Sequence, residues 1–107
     1  MGIDDHLIKE IIRRILRVAQ PDRIILFGSA AGGQMTKDSD IDLLILEKAP
    51  GNVNEEWLRL RRALSGMGYP FDILIMSLEG FEESKQVIGS LAYPAHKYGK
   101  LIYESAG

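Results

Sequence analysis

Asp40 and Asp42 stand two residues apart at the head of the run Ile41-Asp42-Leu43-Leu44-Ile45-Leu46-Glu47. In an extended strand alternate side chains share a face, so both carboxylates are expected on one side, with Cα atoms about 7 Å apart. Two like charges so placed repel each other, and one carboxyl titrates upward unless a cation intervenes. A hard divalent cation suits them, because magnesium takes oxygen ligands and commonly combines one or two carboxylates with substrate phosphates. Ten residues separate Asp40 from the pair Gly28-Ser29, which follows the short apolar run Arg23-Ile24-Ile25-Leu26-Phe27. Glycine lets a phosphate approach the backbone closely, and the serine hydroxyl adds a donor to the exposed N–H groups. Gly32 and Gly33 keep the loop beyond unobstructed. Taken singly these signals are weak, since Gly-Ser serves ordinary turns. Together, between apolar strands, they describe a phosphate cradle beside a metal clamp.

The elements that must position these residues follow from periodicity. Ile3, Leu7, Ile8, Ile11, Ile12, Ile15, Leu16 and Val18 recur at helical spacing with charges between them, which predicts an amphipathic helix over about 3–19. Asp4 and Asp5 lie where the helix dipole favours acids, and Pro21-Asp22 breaks the helix. Residues 23–27 predict a buried strand, residues 30–39 a turn or short helical segment, and 41–47 a second strand. After Ala49-Pro50-Gly51-Asn52, Asn52 or Asn54 is expected to cap a helix running to about Ser65, ended by Gly66 and Gly68. Phe71–Met76 predicts a third strand. Leu78 to about Ala92 predicts a weaker helix, interrupted by Gly80 and Gly89, and Pro94–Tyr98 a further helical turn. Lys100–Glu104 closes the chain as a short strand. The order α-β-β-α-β-α-β gives an α/β (α+β) fold, a mixed sheet of about four strands with helices packed against it.

Composition narrows the classes. The 107 residues suit one domain, 1–107, that buries roughly two-thirds of its unfolded surface. There is no cysteine, which excludes disulfides, a thiolate zinc site and a cysteine nucleophile. Thirteen basic against fifteen acidic residues leave a net charge of −2, which argues against direct nucleic-acid binding. The clusters Arg13, Arg14, Arg17 and Arg59, Arg61, Arg62 read as solvated helix faces. No apolar run approaches a membrane span and the first residues form no signal-peptide core, so a cytoplasmic location is expected. His6 and His96 have no second ligand at metal spacing, and Trp57 reads as a core anchor.

The pattern Gly28-Ser29-x10-Asp40-x-Asp42 resembles the signature of the nucleotidyltransferase superfamily that includes DNA polymerase β. The wording LFGSAA…SDIDLLIL and the closing Gly99-Lys100-Leu101-Ile102-Tyr103-Glu104 are similar to its minimal stand-alone members, the MNT proteins. The resemblance implies a nucleotidyltransferase fold that binds ATP with magnesium, two ions being held when substrate is present. It also implies a third carboxylate from a neighbouring strand. Asp72, the only charge in Phe71-Asp72-Ile73-Leu74-Ile75, fits that place, since a charge in an apolar strand is costly unless paired or metal-bound. By the same resemblance Asp40, Asp42 and Asp72 are the catalytic and metal-holding residues, and Gly28, Ser29, Gly32 and Gly33 cradle the nucleotide.

The implied reaction moves AMP from the triphosphate to an acceptor hydroxyl. Larger transferases of this type carry an additional domain for the acceptor, so here the acceptor is expected on a second protomer or another protein. Minimal members commonly pair with a helical HEPN protein as toxin and antitoxin, which implies an antitoxin that adenylylates its partner. A second reading is a non-catalytic antitoxin or regulatory subunit that neutralises the partner by binding. Ala30 and Gly32 favour it, because close relatives often place basic residues there. Intact Asp40, Asp42 and Asp72 favour catalysis. A third reading, a transferase for a small hydroxylated substrate such as an aminoglycoside, ranks last for want of an acceptor pocket. The apolar stripe of the first helix and the terminal strand are each suited to cover a partner surface, including that of a homo-oligomer.

Overall fold

The computed structural model describes residues 4–28, 31 and 39–106. The first helix, α1 (Asp5–Val18), starts where Asp4 accepts a hydrogen bond from the Leu7 backbone N–H at 2.8 Å. It buries Ile8, Ile11 and Ile15, one face of the expected stripe. Strand β1 (Arg23–Phe27) and strand β2 (Ile41–Glu47) follow with the bounds that their β-branched runs predict. Of the two capping candidates it is Asn52 that caps α2 (Val53–Ala63), accepting from the Glu55 N–H at 3.1 Å. Strand β3 (Phe71–Ser77) leads directly into the short helix α3 (Leu78–Ser84). A second short helix, α4 (Ala92–Tyr98), precedes β4 (Lys100–Glu104).

The expected helix over Leu78 to Ala92 stops early, at Ser84, and α4 answers to the further turn expected over Pro94–Tyr98. Gly80 is accommodated inside α3, where its N–H is capped by the Ser77 hydroxyl at 2.9 Å. Gly89 instead takes φ +99°, a left-handed conformation that no helix continues through. Val87, Ile88 and Leu91 are exposed in that break, so no apolar stripe holds the segment helical. The expected loop or helical turn at residues 30–39 lies outside the described residues, apart from Ala31 and Ser39.

The sheet order is β3-β2-β1-β4. β1 runs antiparallel to β2 and to β4, whereas β2 and β3 are parallel and joined through α2. Both faces of the sheet are covered, which explains why β2 is a nearly unbroken apolar run rather than an alternating one. On one face α1 and α2 pack Ile11, Ile15, Leu60 and Leu64 against Ile24, Leu26, Leu43, Ile45 and Ile73. On the other, Phe81 of α3 and Ala92 and Ala95 of α4 cover Ile25, Leu44 and Leu46. Completely burying side chains of this size contributes roughly 1.5–3 kcal/mol each.

The arginine clusters are more than solvated faces. Arg14 donates to the carbonyls of Ala63 and Ser65 at 3.2 and 2.9 Å, and Arg59 donates to that of Val18 at 3.4 Å, so the two helices are laced together. Glu10 forms ion pairs with Arg13 and Arg14, which hold its carboxyl down at about 2. Trp57 does anchor the core: its indole N–H donates to the Ile73 carbonyl at 3.2 Å, and Arg61 lies over its ring. Among the described residues no helix is long and apolar enough to cross a membrane.

Candidate active site

Three strand ends meet at one end of the sheet. β1 terminates at Phe27, which pairs with Asp42, and Gly28 follows immediately. β2 and β3 are parallel and both begin here, with Ile41 opposite Phe71 and Asp42 opposite Asp72. Each aspartate is the second residue of its strand. The parallel crossover through α2 thus aligns two carboxylates that are thirty positions apart in the chain. Strand alternation puts both on the face of Leu44 and Leu74, the one covered by α3 and α4. Those helices are seven residues each, and α3 begins at the opposite end of β3, so Asp42 is half-buried and Asp72 exposed.

Their electrostatics follow. The Asp42 carboxyl is pushed up to about 6. Burial is the largest cause, followed by the negative charge of Asp72, then that of Asp40, and a hydrogen bond with Asp72. A carboxyl held there by like charges is a group whose ionised form a divalent cation would stabilise. Gly28 completes the constraint. Its φ is +73°, and a Cβ at this position would run into Oδ2 of Asp42 and lie 3.1 Å from its Cγ. Only glycine lets the end of β1 pass so close to the carboxylate.

Asp40 immediately precedes β2, as the expected strand bounds have it, and its negative charge, after that of Asp72, helps to raise the Asp42 carboxyl. One expectation needs correction. Asp72 is exposed, so the cost of a charge in an apolar strand does not fall on it; the desolvation falls on Asp42. Among the described residues no three histidine or acidic side chains are grouped as a complete metal ligand set. What is present is a carboxylate pair with a third carboxylate near it. That donor set fits a hard cation whose remaining ligands are phosphate oxygens and water. Ser29, Gly32 and Gly33, expected to cradle the nucleotide, lie outside the described residues, as does Ala30.

The sequence reading passed over one pair of acids, Glu47 and Glu56, both buried. Glu47 is the charge that ends the apolar run Leu43–Leu46, the same signal that singled out Asp72. His96, which has no second ligand at metal spacing, is an exposed residue that meets the Phe81 ring edge-on at 6.2 Å.

Comparison with known proteins agrees with this geometry. The family model for the nucleotidyltransferase domain matches residues 7–94. "Putative protein adenylyltransferase MJ0141" of Methanocaldococcus jannaschii is 37% identical over 72 residues, which cover 65% of this chain and 72% of that protein. The crystal structure of a toxin–antitoxin with AMP-PNP superposes with a TM-score of 0.71 at 20% identity, over 92% of this chain and 74% of that one. The complex of tri-AMPylated Shewanella oneidensis HEPN toxin with MNT antitoxin gives a TM-score of 0.56 at 20% identity, over 94% and 72%. At such identities the two solved structures bear on the fold alone.

Proposed function

Because this chain belongs to the nucleotidyltransferase domain family, we propose that it transfers AMP from magnesium-bound ATP to a hydroxyl of a HEPN-type partner protein, as the antitoxin of a pair. The observation that carries the reading is the in-register pair Asp42 and Asp72 beside Gly28. The M. jannaschii relative, named for protein adenylylation, supports the donor chemistry and the class of acceptor. The HEPN–MNT complex, whose toxin is AMPylated, supports the partner. A cytoplasmic location accords with ATP as donor.

Asp40, Asp42 and Asp72 would hold magnesium, and Gly28 with Ser29, Gly32 and Gly33 would receive the triphosphate. Bound magnesium supplies charge neutralisation at the phosphates and at the attacking and leaving oxygens. The chain's own contributions are positional. Gly28 keeps the backbone clear of Asp42, so phosphate oxygens and carboxylate share one small space. Asp72, exposed at the rim, accepts the proton of the acceptor hydroxyl. The acceptor oxygen forms a bond to the α-phosphorus as the bond from that phosphorus to the bridging oxygen breaks, and pyrophosphate leaves with the electron pair.

The test is transfer itself. The protein is incubated with magnesium, α-labelled ATP and the product of the adjacent gene, and the label is followed by gel. Label moving to the partner, and lost with Asp42→Asn, is the expected result. A tight complex with no transfer from any nucleoside triphosphate would sink the enzymatic reading and leave the binding-only antitoxin that Ala30 and Gly32 favour.

A further inference from the structure

The opposite end of β2 carries a second acidic pair, remote from the nucleotide site. Glu47 is the last residue of β2, on the face covered by α1 and α2, and Glu56 lies in the first turns of α2. Their side chains are nearly inaccessible, with 8% and 6% of their surface exposed. Oε2 of Glu56 is fully buried and has no hydrogen-bond partner. Both residues line a cavity of about 360 Å³, together with Arg17, Val18, Gln20 and Arg59. Two buried carboxylates in contact, one with an orphaned oxygen, are an expensive arrangement for a fold to keep unless something occupies the space.

We propose that Glu47 and Glu56 form a binding site for a divalent cation of the calcium class, closed by the carbonyl end of α1. The oxygens are of the right kind: two carboxylates, each able to bind through one or both atoms, with carbonyls and water to fill the shell. The helix adds to the field. α1 is fourteen residues long and ends at Val18, and its C-terminal turn, the negative end of its dipole, lines the cavity. Asp22, just before β1, adds another negative charge that Glu47 feels, and burial together with Glu56 and Asp22 pushes the Glu47 carboxyl up. Arg59 opposes this, but its guanidinium is spent in part on the Val18 carbonyl, and both Arg59 and Arg17 are exposed at the rim. Without a cation the pair is held by a shared hydrogen bond with Glu47 protonated, and a bound divalent ion would replace that proton and leave two ionised ligands at the floor of the site.

Terbium(III) tests this directly, because it takes calcium-type oxygen sites and is sensitised by a nearby indole. Trp57, the only tryptophan, is adjacent to Glu56 in α2. Terbium is titrated into the full chain without nucleotide, in the Asp42→Asn/Asp72→Asn background so that the other acidic pair does not contribute. Sensitised emission that calcium displaces is expected, with affinity falling at least tenfold when Glu47→Gln and Glu56→Gln are added. No displaceable emission in that background, or emission unchanged by the glutamines, overturns the proposal. The glutamine variants are melted first. Should the double variant fail to unfold cooperatively, Glu56→Gln alone is titrated against the same criterion. The nucleotide is absent throughout, so neither result bears on AMP transfer.

Discussion

Replacing Gly28 with alanine would set a methyl group against the carboxylate of Asp42 in a backbone conformation that L-residues avoid. Two costs are separable. A left-handed φ of +73° costs a non-glycine residue roughly 1–2 kcal/mol by itself. The second cost is steric: the new Cβ overlaps Oδ2 and stands 3.1 Å from Cγ, so Asp42 must leave its rotamer or β1 must move away from β2. An off-rotamer side chain adds about 0.5–1.5 kcal/mol. The sum, about 1.5–3.5 kcal/mol, is a large share of the stability of a small domain. For a chain of this length each kcal/mol lowers Tm by about 4–8 °C. Urea denaturation of Gly28→Ala, Asp42→Ala and the double variant measures the parts as a double-mutant cycle. With Asp42 truncated, Gly28→Ala is expected to cost only the backbone share. An equal cost in both backgrounds would refute the claim that Gly28 is required by the carboxylate, and no cost in either would refute the conformational argument as well.

Further outcomes follow from the same geometry. The Asp42 carboxyl titrates near 6 in the folded state against 3.8 ordinarily, so its contribution to stability is present below pH 3.8 and lost as pH rises toward 6; Asp42→Asn should flatten that segment of the stability–pH curve and raise stability at pH 7. Glu47 is raised from 4.5 to about 8, so Glu47→Gln should flatten the longer decline between those values, measured by urea titration in calcium-free buffer. Magnesium with ATP should raise Tm, by an amount corresponding to about 2.7 kcal/mol at a hundredfold excess over Kd. Chelation or Asp42→Asn should abolish that rise, and an unchanged melt at millimolar ATP would count against a working nucleotide site.

Much of this protein was legible along the chain because the responsible signals are local. The 3.6-residue stripe in α1, the β-branched runs of β1 and β2, the Asn52 cap and Gly99 before β4 each act over a few residues, and the elements appear with nearly the expected bounds. The motif Gly28-Ser29-x10-Asp40-x-Asp42 was also visible in the sequence, and with it the family. The break between α3 and α4 was harder, because Gly80 and Gly89 look alike in sequence. Only the capping of Gly80 and the positive φ of Gly89 tell them apart.

Tertiary structure alone decided which distant residues meet. Nothing local states that β2 and β3 are parallel neighbours, yet that pairing places Asp72 opposite Asp42. It also determined which carboxylate bears the desolvation: Asp42 on the inner strand and not Asp72 on the edge. The arginines that join α1 to α2, and the buried meeting of Glu47 with Glu56, are likewise products of packing. Residue types and spacing specify the chemistry a chain can carry and the elements that carry it. Charge repulsion, burial and contact depend on distance in space, and the strand order sets that distance.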